Sequence, residues 1–357
     1  MSEVSRLSAV PRTHSVKAKL VNGALIVGSI IFSLLALEIG LRAYHSEWEI
    51  VNFRFPQPHR FAYHIYDPEL GWVPKPSSQW GMSLTILNEG VRSNGRGESW
   101  DGTDDPILAV GDSYTFGDKV SDSETWPAQL EKLSGKRVIN GGVDGYGVDQ
   151  IYLRARRFLD RYKLSTIIFS FIPDDIRRSQ MSVMFATTKP YFDFKDGQLT
   201  LENVPVPSTF LPEKENGLMT ALEHSRVMHA VMKRLVPEWW LRAPSERQVQ
   251  DREQGIKVAC SLIHDLEGLT RLRGSELIVM AQHTEGETTS DTMATKDVLS
   301  CATDPATRVL DLQSALSELK AKDPSRHHRL YVPNDGHMSA EGNAFVASEI
   351  LSLLTER

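Results

Sequence analysis

Five short apolar runs, at residues 107–110, 137–140, 166–171, 277–280 and 308–312, alternate with segments of helical periodicity. No other feature constrains the fold as much. A run of four to six apolar residues bounded by turn signals suits a strand buried on both faces. The intervening segments have the stripe of an amphipathic helix: Ile151, Ala155, Phe158 and Tyr162 share one face, and Phe345, Ile350 and Leu354 mark a last helix over 340–354. Another helix, over 124–133, opens on Trp126-Pro127, because proline is tolerated in a first turn. Strands alternating with helices predict an α/β fold, a central parallel sheet of about five strands covered on both faces, with ligands at the carboxyl ends of the strands.

Ahead of this pattern, residues 20–37 run without a charge. At ~1.5 Å per residue such a helix approaches the thickness of a bilayer core, so one N-terminal transmembrane helix is expected over 20–43. Arg6, Arg12, Lys17 and Lys19 precede it and favour a cytoplasmic N-terminus over 1–19, with the bulk of the chain periplasmic or extracellular. No small-residue cleavage signal follows the run, which argues against a removed signal peptide. Glu38 and Arg42 lie one helical turn apart and can pair at the membrane boundary.

Residues 44–105, rich in Trp, Pro, Gly and Asn, read as a linker and small N-terminal cap, with a strand patch at 84–87. The remaining chain, 106–357, holds the α/β pattern and an insertion at about 180–250. That insertion contains a hairpin, Tyr191-Phe192-Asp193-Phe194 and Leu199-Thr200-Leu201 about Asp196-Gly197, then a helix with Leu218, Leu222, Val231 and Leu235. It can cover a site at the sheet edge. Trp239-Trp240 is either an aromatic platform or a packed pair. A formal charge of −6 carries no basic excess for nucleic acid. Cys260 and Cys301 are the only cysteines and allow one bridge or two buried thiols. His264, His283, His327 and His328 lack helix-spaced ligand partners, so neither a metal nor another cofactor is expected.

Ser113 follows the first buried strand closely, where a strand-to-helix turn points a side chain over the carboxyl edge. A serine hydroxyl needs a base, and His337 lies just before the last helix, on a loop the topology brings to the same edge. The missing second glycine in Gly111-Asp112-Ser113-Tyr114-Thr115 disfavours the ordinary α/β-hydrolase elbow.

With these blocks in order, the chain resembles the SGNH, or GDSL, hydrolase family over roughly residues 65–357. Gly111-Asp112-Ser113 is similar to the first block and Asn140-Gly141-Gly142-Val143-Asp144-Gly145 to the second. Tyr66-Asp67-Pro68-Glu69-Leu70-Gly71-Trp72 and Asn88-Glu89-Gly90-Val91-Arg92 look like the leader of its membrane-anchored, extracytoplasmic members. The resemblance implies a flavodoxin-like three-layer sandwich. It also implies a serine esterase with Ser113 as nucleophile, His337 as base, and the N–H groups of Ser113 and Gly145 in an oxyanion hole.

Two positions depart from the family. Asp174, in Phe171-Ile172-Pro173-Asp174-Asp175, takes the place of the asparagine that gives the third oxyanion donor. An ionised carboxylate cannot donate. Asp174 is therefore a protonated donor, or paired with Arg177 or Arg178, or replaced by a donor from elsewhere. Where the family has Asp-x-x-His, Asn334 stands three residues before His337 and Asp335 two before. Asp335 is expected to orient the imidazole, because a carboxylate also stabilises the imidazolium. The expected substrate is an acyl ester, with O-acyl groups of envelope polysaccharide or lipid as the candidate class. An O-acyltransferase using the same residues and a non-catalytic scaffold or glycan-binding protein are the alternatives.

Overall fold

The computed structural model describes residues 16–44, 63–81, 83–95, 105–184, 187–208, 221–236, 240 and 251–356. The expectations on Arg6, Arg12, Leu218 and Trp239 lie outside these residues. Two units divide the chain: residues 1–58 with 212–242, and residues 59–211 with 243–357.

In the second unit, β1 (His64–Asp67) pairs antiparallel with β2 (Gly71–Pro74), and β3 (Ser78–Trp80) with β4 (Leu84–Ile86). The central sheet holds β5 (Ile107–Val110), β6 (Val138–Asn140), β7 (Thr166–Phe171) and, beyond an insertion with two strand pairs, two more strands. The insertion supplies β8 (Val183–Met184) with β9 (Thr187–Thr188), and the hairpin β10 (Tyr191–Lys195) with β11 (Gln198–Glu202). At that hairpin's tip Asp196 and Gly197 take φ of 51° and 78°, the left-handed pair of a two-residue turn. The last sheet strands are β12 (Glu276–Ala281) and β13 (Arg308–Asp311), giving the order β13-β12-β7-β5-β6, with every neighbour parallel.

This is the flavodoxin-like order, in which the chain reverses direction across the sheet between β5 and β7. Alternate side chains divide two cores. Leu108, Val110, Ile167, Phe169 and Val279 enter one, with the helices α4 (Val148–Arg161), α7 (Arg252–Arg273) and α8 (Thr289–Leu299). Ile107, Ala109, Ile168, Ile278 and Met280 enter the other, with α3 (Trp126–Ser134), α9 (Gln313–Lys322) and α11 (Ala340–Thr355). All six residues of β7 are buried, and each large apolar side chain there contributes roughly 1.5–3 kcal/mol. The short helices α2 (Ser113–Phe116), α5 (Pro173–Arg178) and α10 (Pro324–Arg329) sit on the connections.

The leader segment is tied directly into this unit. Trp72 Nε1 donates to the Asp144 carbonyl at 3.0 Å, Tyr146 Oη to the Trp72 carbonyl at 2.6 Å, and Arg154 to the Gly90 carbonyl at 2.7 Å. The hairpin packs on α4, where Phe192 meets Tyr152 edge-on at 5.8 Å. Cys260 in α7 and Cys301 after α8 form a disulfide.

In the first unit, α1 (Val16–Tyr44) contains a span, Ala18–Ala43, of mean hydropathy 2.3, long and apolar enough to cross a membrane. Arg42 Nε meets Glu38 Oε1 at 2.6 Å, as the sequence spacing predicts. Glu38 also caps α6 (Arg226–Leu235), accepting from the N–H groups of Arg226 at 2.8 Å and Val227 at 2.9 Å. Trp240 is fully buried and its indole donates to His229, so it is packed rather than an open platform.

Candidate active site

Asp112 ends the β5 loop and starts α2. Its Oδ1 accepts from the Tyr114 N–H at 3.0 Å, a side-chain cap that fixes the turn on which Ser113 stands. The far end of α2 is held by Arg92, whose guanidinium donates to the carbonyls of Phe116, Gly117 and Val120 and meets Asp122 at 3.1 Å. A cation on the last carbonyls of a helix satisfies groups that have no partner inside it. The leader's arginine thus buttresses the helix that carries the serine.

Ser113 Oγ lies 2.9 Å from His337 Nε2, and His337 Nδ1 lies 2.5 Å from Asp335 Oδ1. An ionised carboxylate only accepts, so Nδ1 carries the proton and Nε2 presents its lone pair to the serine hydroxyl. Asp335 is partly buried, which raises its pKa, but the hydrogen bond and charge of His337 and the Lys119 ammonium at 3.5 Å outweigh this and hold it below the usual range. Asn334 does not take the orienting position. It has φ of 61°, a left-handed turn conformation that asparagine tolerates, and the turn is what brings Asp335 back onto the ring.

Tyr114 locks the two loops together: its hydroxyl donates to the Gly336 carbonyl at 2.6 Å, and its ring lies 5.2 Å from the imidazole. Sequence reasoning missed this residue, because its partner is a backbone group 222 positions away. A signal was present in its place, one residue after the serine.

The loop after β6 supplies the other side. A Cβ at Gly142 would fall 2.2 Å from the Phe116 backbone nitrogen, so only glycine lets this loop approach α2. Gly145 has φ of +74°, a conformation that costs glycine little, and it lies between the buried Asp144 and Tyr146. Burial and the nearby Asp118 raise the Asp144 pKa to about 7, while Tyr63 donates to its carboxyl at 2.7 Å. Among the described residues, neither the Ser113 N–H nor the Gly145 N–H has an acceptor.

Asp174 is not a protonated donor. Its carboxylate meets Arg177 Nε at 2.8 Å and Arg178 at 2.8 Å, and although burial raises its pKa, the two guanidinium groups bring it below the ordinary value. The ion-paired alternative is the arrangement present. Arg178 does more than neutralise it: the same guanidinium reaches Asp175 at 2.8 Å, Asp112 at 3.4 Å and the Tyr146 carbonyl at 3.4 Å. It therefore ties the loop after β7 to the neighbours of Ser113 and Gly145. Burial raises the carboxyl groups of Asp112 and Asp175, and repulsion from Asp112 adds to this at Asp175, with Arg178 pulling both the other way.

Among the described residues no cluster of His, Cys, Asp or Glu is arranged to hold a metal ion. The geometry presents a serine hydroxyl hydrogen-bonded to an imidazole that a carboxylate orients, an arrangement suited to attack on an acyl carbon.

No family model matches the chain, and no curated protein matches it. Among solved structures, it is similar to a lipolytic protein of the G-D-S-L family from Desulfitobacterium hafniense DCB-2, at 14% identity and a TM-score of 0.39, covering 70% of this chain and 99% of that one. An acetyl xylan esterase from the rumen bacterium Butyrivibrio proteoclasticus matches at 8% identity and 0.36, covering 72% and 65%. A family two carbohydrate esterase from Cellvibrio japonicus matches at 10% and 0.32, covering 70% and 60%. Likenesses of this size bear on neither activity nor substrate.

Proposed function

We propose that this chain is a membrane-anchored serine esterase of the SGNH/GDSL type, acting on acyl esters outside the cytoplasm. The observation that carries the reading is the relay Asp335–His337–Ser113, with contacts of 2.5 and 2.9 Å at the carboxyl edge of a doubly wound sheet. His337 takes the hydroxyl proton as Ser113 Oγ attacks the ester carbonyl. The N–H groups of Ser113 and Gly145 receive the oxyanion, His337 returns the proton to the departing alkoxide, and water repeats the sequence on the acyl-enzyme.

The anchor in this reading is α1, with Lys17 and Lys19 on its cytoplasmic side. The Cys260–Cys301 bridge supports an oxidising compartment for the catalytic unit. O-acyl groups of the cell envelope are then the accessible esters.

A fluorophosphonate probe should label the full-length protein in detergent, and Ser113→Ala should remove the label together with p-nitrophenyl acetate hydrolysis. A folded, pure sample that takes no label sinks the proposal. Adding an acceptor alcohol and measuring transfer against hydrolysis separates an esterase from an acyltransferase with the same residues.

A further inference from the structure

The apolar stretch of α1 stops at a defined point. Residues 20–37 carry no charge and extend roughly 27 Å as a helix, close to the ~30 Å of a hydrocarbon core, so Glu38 is the first charged group at the far edge.

Glu38 is also where the chain returns. Across 188 positions its carboxylate accepts from the Arg226 N–H at 2.8 Å, and it accepts from the Val227 N–H and the Ser225 hydroxyl at 2.9 Å each. Arg42, paired with Glu38, donates to the His224 carbonyl. The first turn of α6 is thereby fixed at the depth where the apolar stretch ends. It does not continue down α1, whose residues 30–37 are all exposed. Ten residues make a helix of about 15 Å, too short to cross a bilayer by itself.

The two sides of α6 differ. One is closed by Trp240, which is fully buried and donates to His229 Nδ1 at 3.0 Å. Val231 follows His229 by two residues, about 200° around a helix, so Val231 and Leu235 stand on the opposite side. Val231 is 41% exposed, Leu235 72% and the adjoining Val236 41%. Arg234 borders this apolar stripe and is exposed, and the helix contains no acidic residue. Leu37 and Ile39, exposed on either side of Glu38, carry the apolar surface of α1 up to the start of α6. Adjoining exposed aliphatic side chains mark an interaction surface, and a basic amphipathic helix suits the boundary between lipid headgroups and acyl chains.

We propose that α6 lies along the bilayer surface, with Val231, Leu235 and Val236 among the upper acyl chains and Arg234 extended to lipid phosphates. The insertion thus makes a second membrane contact beside α1. This rests on α1 as the anchor and is independent of the ester chemistry.

The test places one environment-sensitive dye at a time. Cys260 and Cys301 are bridged, so a single added cysteine takes a thiol-reactive NBD label. The full chain is reconstituted in nanodiscs of phosphatidylethanolamine and phosphatidylglycerol, and each label is challenged with spin-labelled lipids and with aqueous iodide. Lys322→Cys, exposed on α9, gives the water reference, and Ile30→Cys, within the span of α1, the lipid reference. At Leu235→Cys and Val231→Cys, iodide quenching should fall about fivefold below the water reference and lipid quenching rise about threefold above it. Iodide quenching equal to that at Lys322→Cys overturns the proposal, because α6 then stands in water. Protection from both quenchers also overturns it, because another segment or a second copy then covers the stripe. If the Ile30→Cys label is not quenched by lipid, the anchor reading has failed by itself. The Leu235→Cys label then decides α6 alone: lipid quenching supports the contact and its absence overturns it.

Discussion

Two histidines stand at the carboxyl edge of the same sheet, and each has a carboxylate on one ring nitrogen. His337 has Asp335 on Nδ1 and the Ser113 hydroxyl on Nε2. His283, one residue beyond Gln282 at the end of β12, has Glu287 on Nδ1 and Asp311 on Nε2, each at 2.7 Å. The second carboxylate changes the chemistry. Burial alone would lower the His283 pKa, but bonds to Asp311 and Glu287 raise it to about 9, so both nitrogens hold protons near neutral pH and none is left to accept. A carboxylate on one side orients a base; carboxylates on both sides make a structural cation.

The largest effect should come from breaking the functional half of this comparison. His337→Gln keeps a polar side chain of similar reach but leaves Ser113 without a base. The expected loss in kcat for p-nitrophenyl acetate is about 10⁴-fold or more. A loss under a hundredfold would mean that another group takes the proton, and the distinction between the histidines would fall.

His283 should reveal itself in stability instead. Its folded pKa, about 9, lies above the unfolded value near 6.5, so its contribution is complete below about pH 6.5 and disappears as pH rises through about 9. The difference corresponds to up to about 3 kcal/mol. Urea unfolding of the full chain in detergent should show wild type losing that margin over His283→Gln between pH 6 and pH 10. Parallel curves for the two proteins would show that the clamp contributes nothing.

The sequence separates these histidines only in part. Spacing alone put His337 on the loop before the last helix and Asp335 two residues upstream, because local order carries that information. The strands were legible for the same reason: 107–110 and 166–171 coincide with β5 and β7, since buried parallel strands read as unbroken apolar runs. Of the partners of His283, Glu287 lies only four positions on and was overlooked, whereas Asp311, 28 positions away on the neighbouring strand, was not legible. Neither were Arg92 on the carbonyls of α2, Tyr114 on Gly336, or Arg178 across three loops, all of them contacts created by chain crossings. Asp174 lay between these cases. Its spacing to Arg177 and Arg178 is the helical i,i+3 and i,i+4 pairing, visible in the sequence, while its link through Arg178 to Asp112 and the Tyr146 carbonyl needed the fold.

The smallest effect sharpens the comparison at that residue. Both histidine sites use carboxylates to favour a positive ring, whereas Asp174, in the proposed mechanism, puts negative charge in the loop position expected to supply an oxyanion donor. Arg177 and Arg178 offset that charge without turning it into a donor. Asp174→Asn removes the charge and adds an amide N–H, while Arg178 keeps Asp112 and Asp175. A well-placed donor contributes about 10²–10³ in kcat, but an amide held partly by the two arginines reaches only part of that, so a rise of about tenfold with little change in KM is expected. A fall in kcat would show that the Asp174–Arg178 pair, by ordering the loop after β7, matters more to the transition state than the charge it introduces.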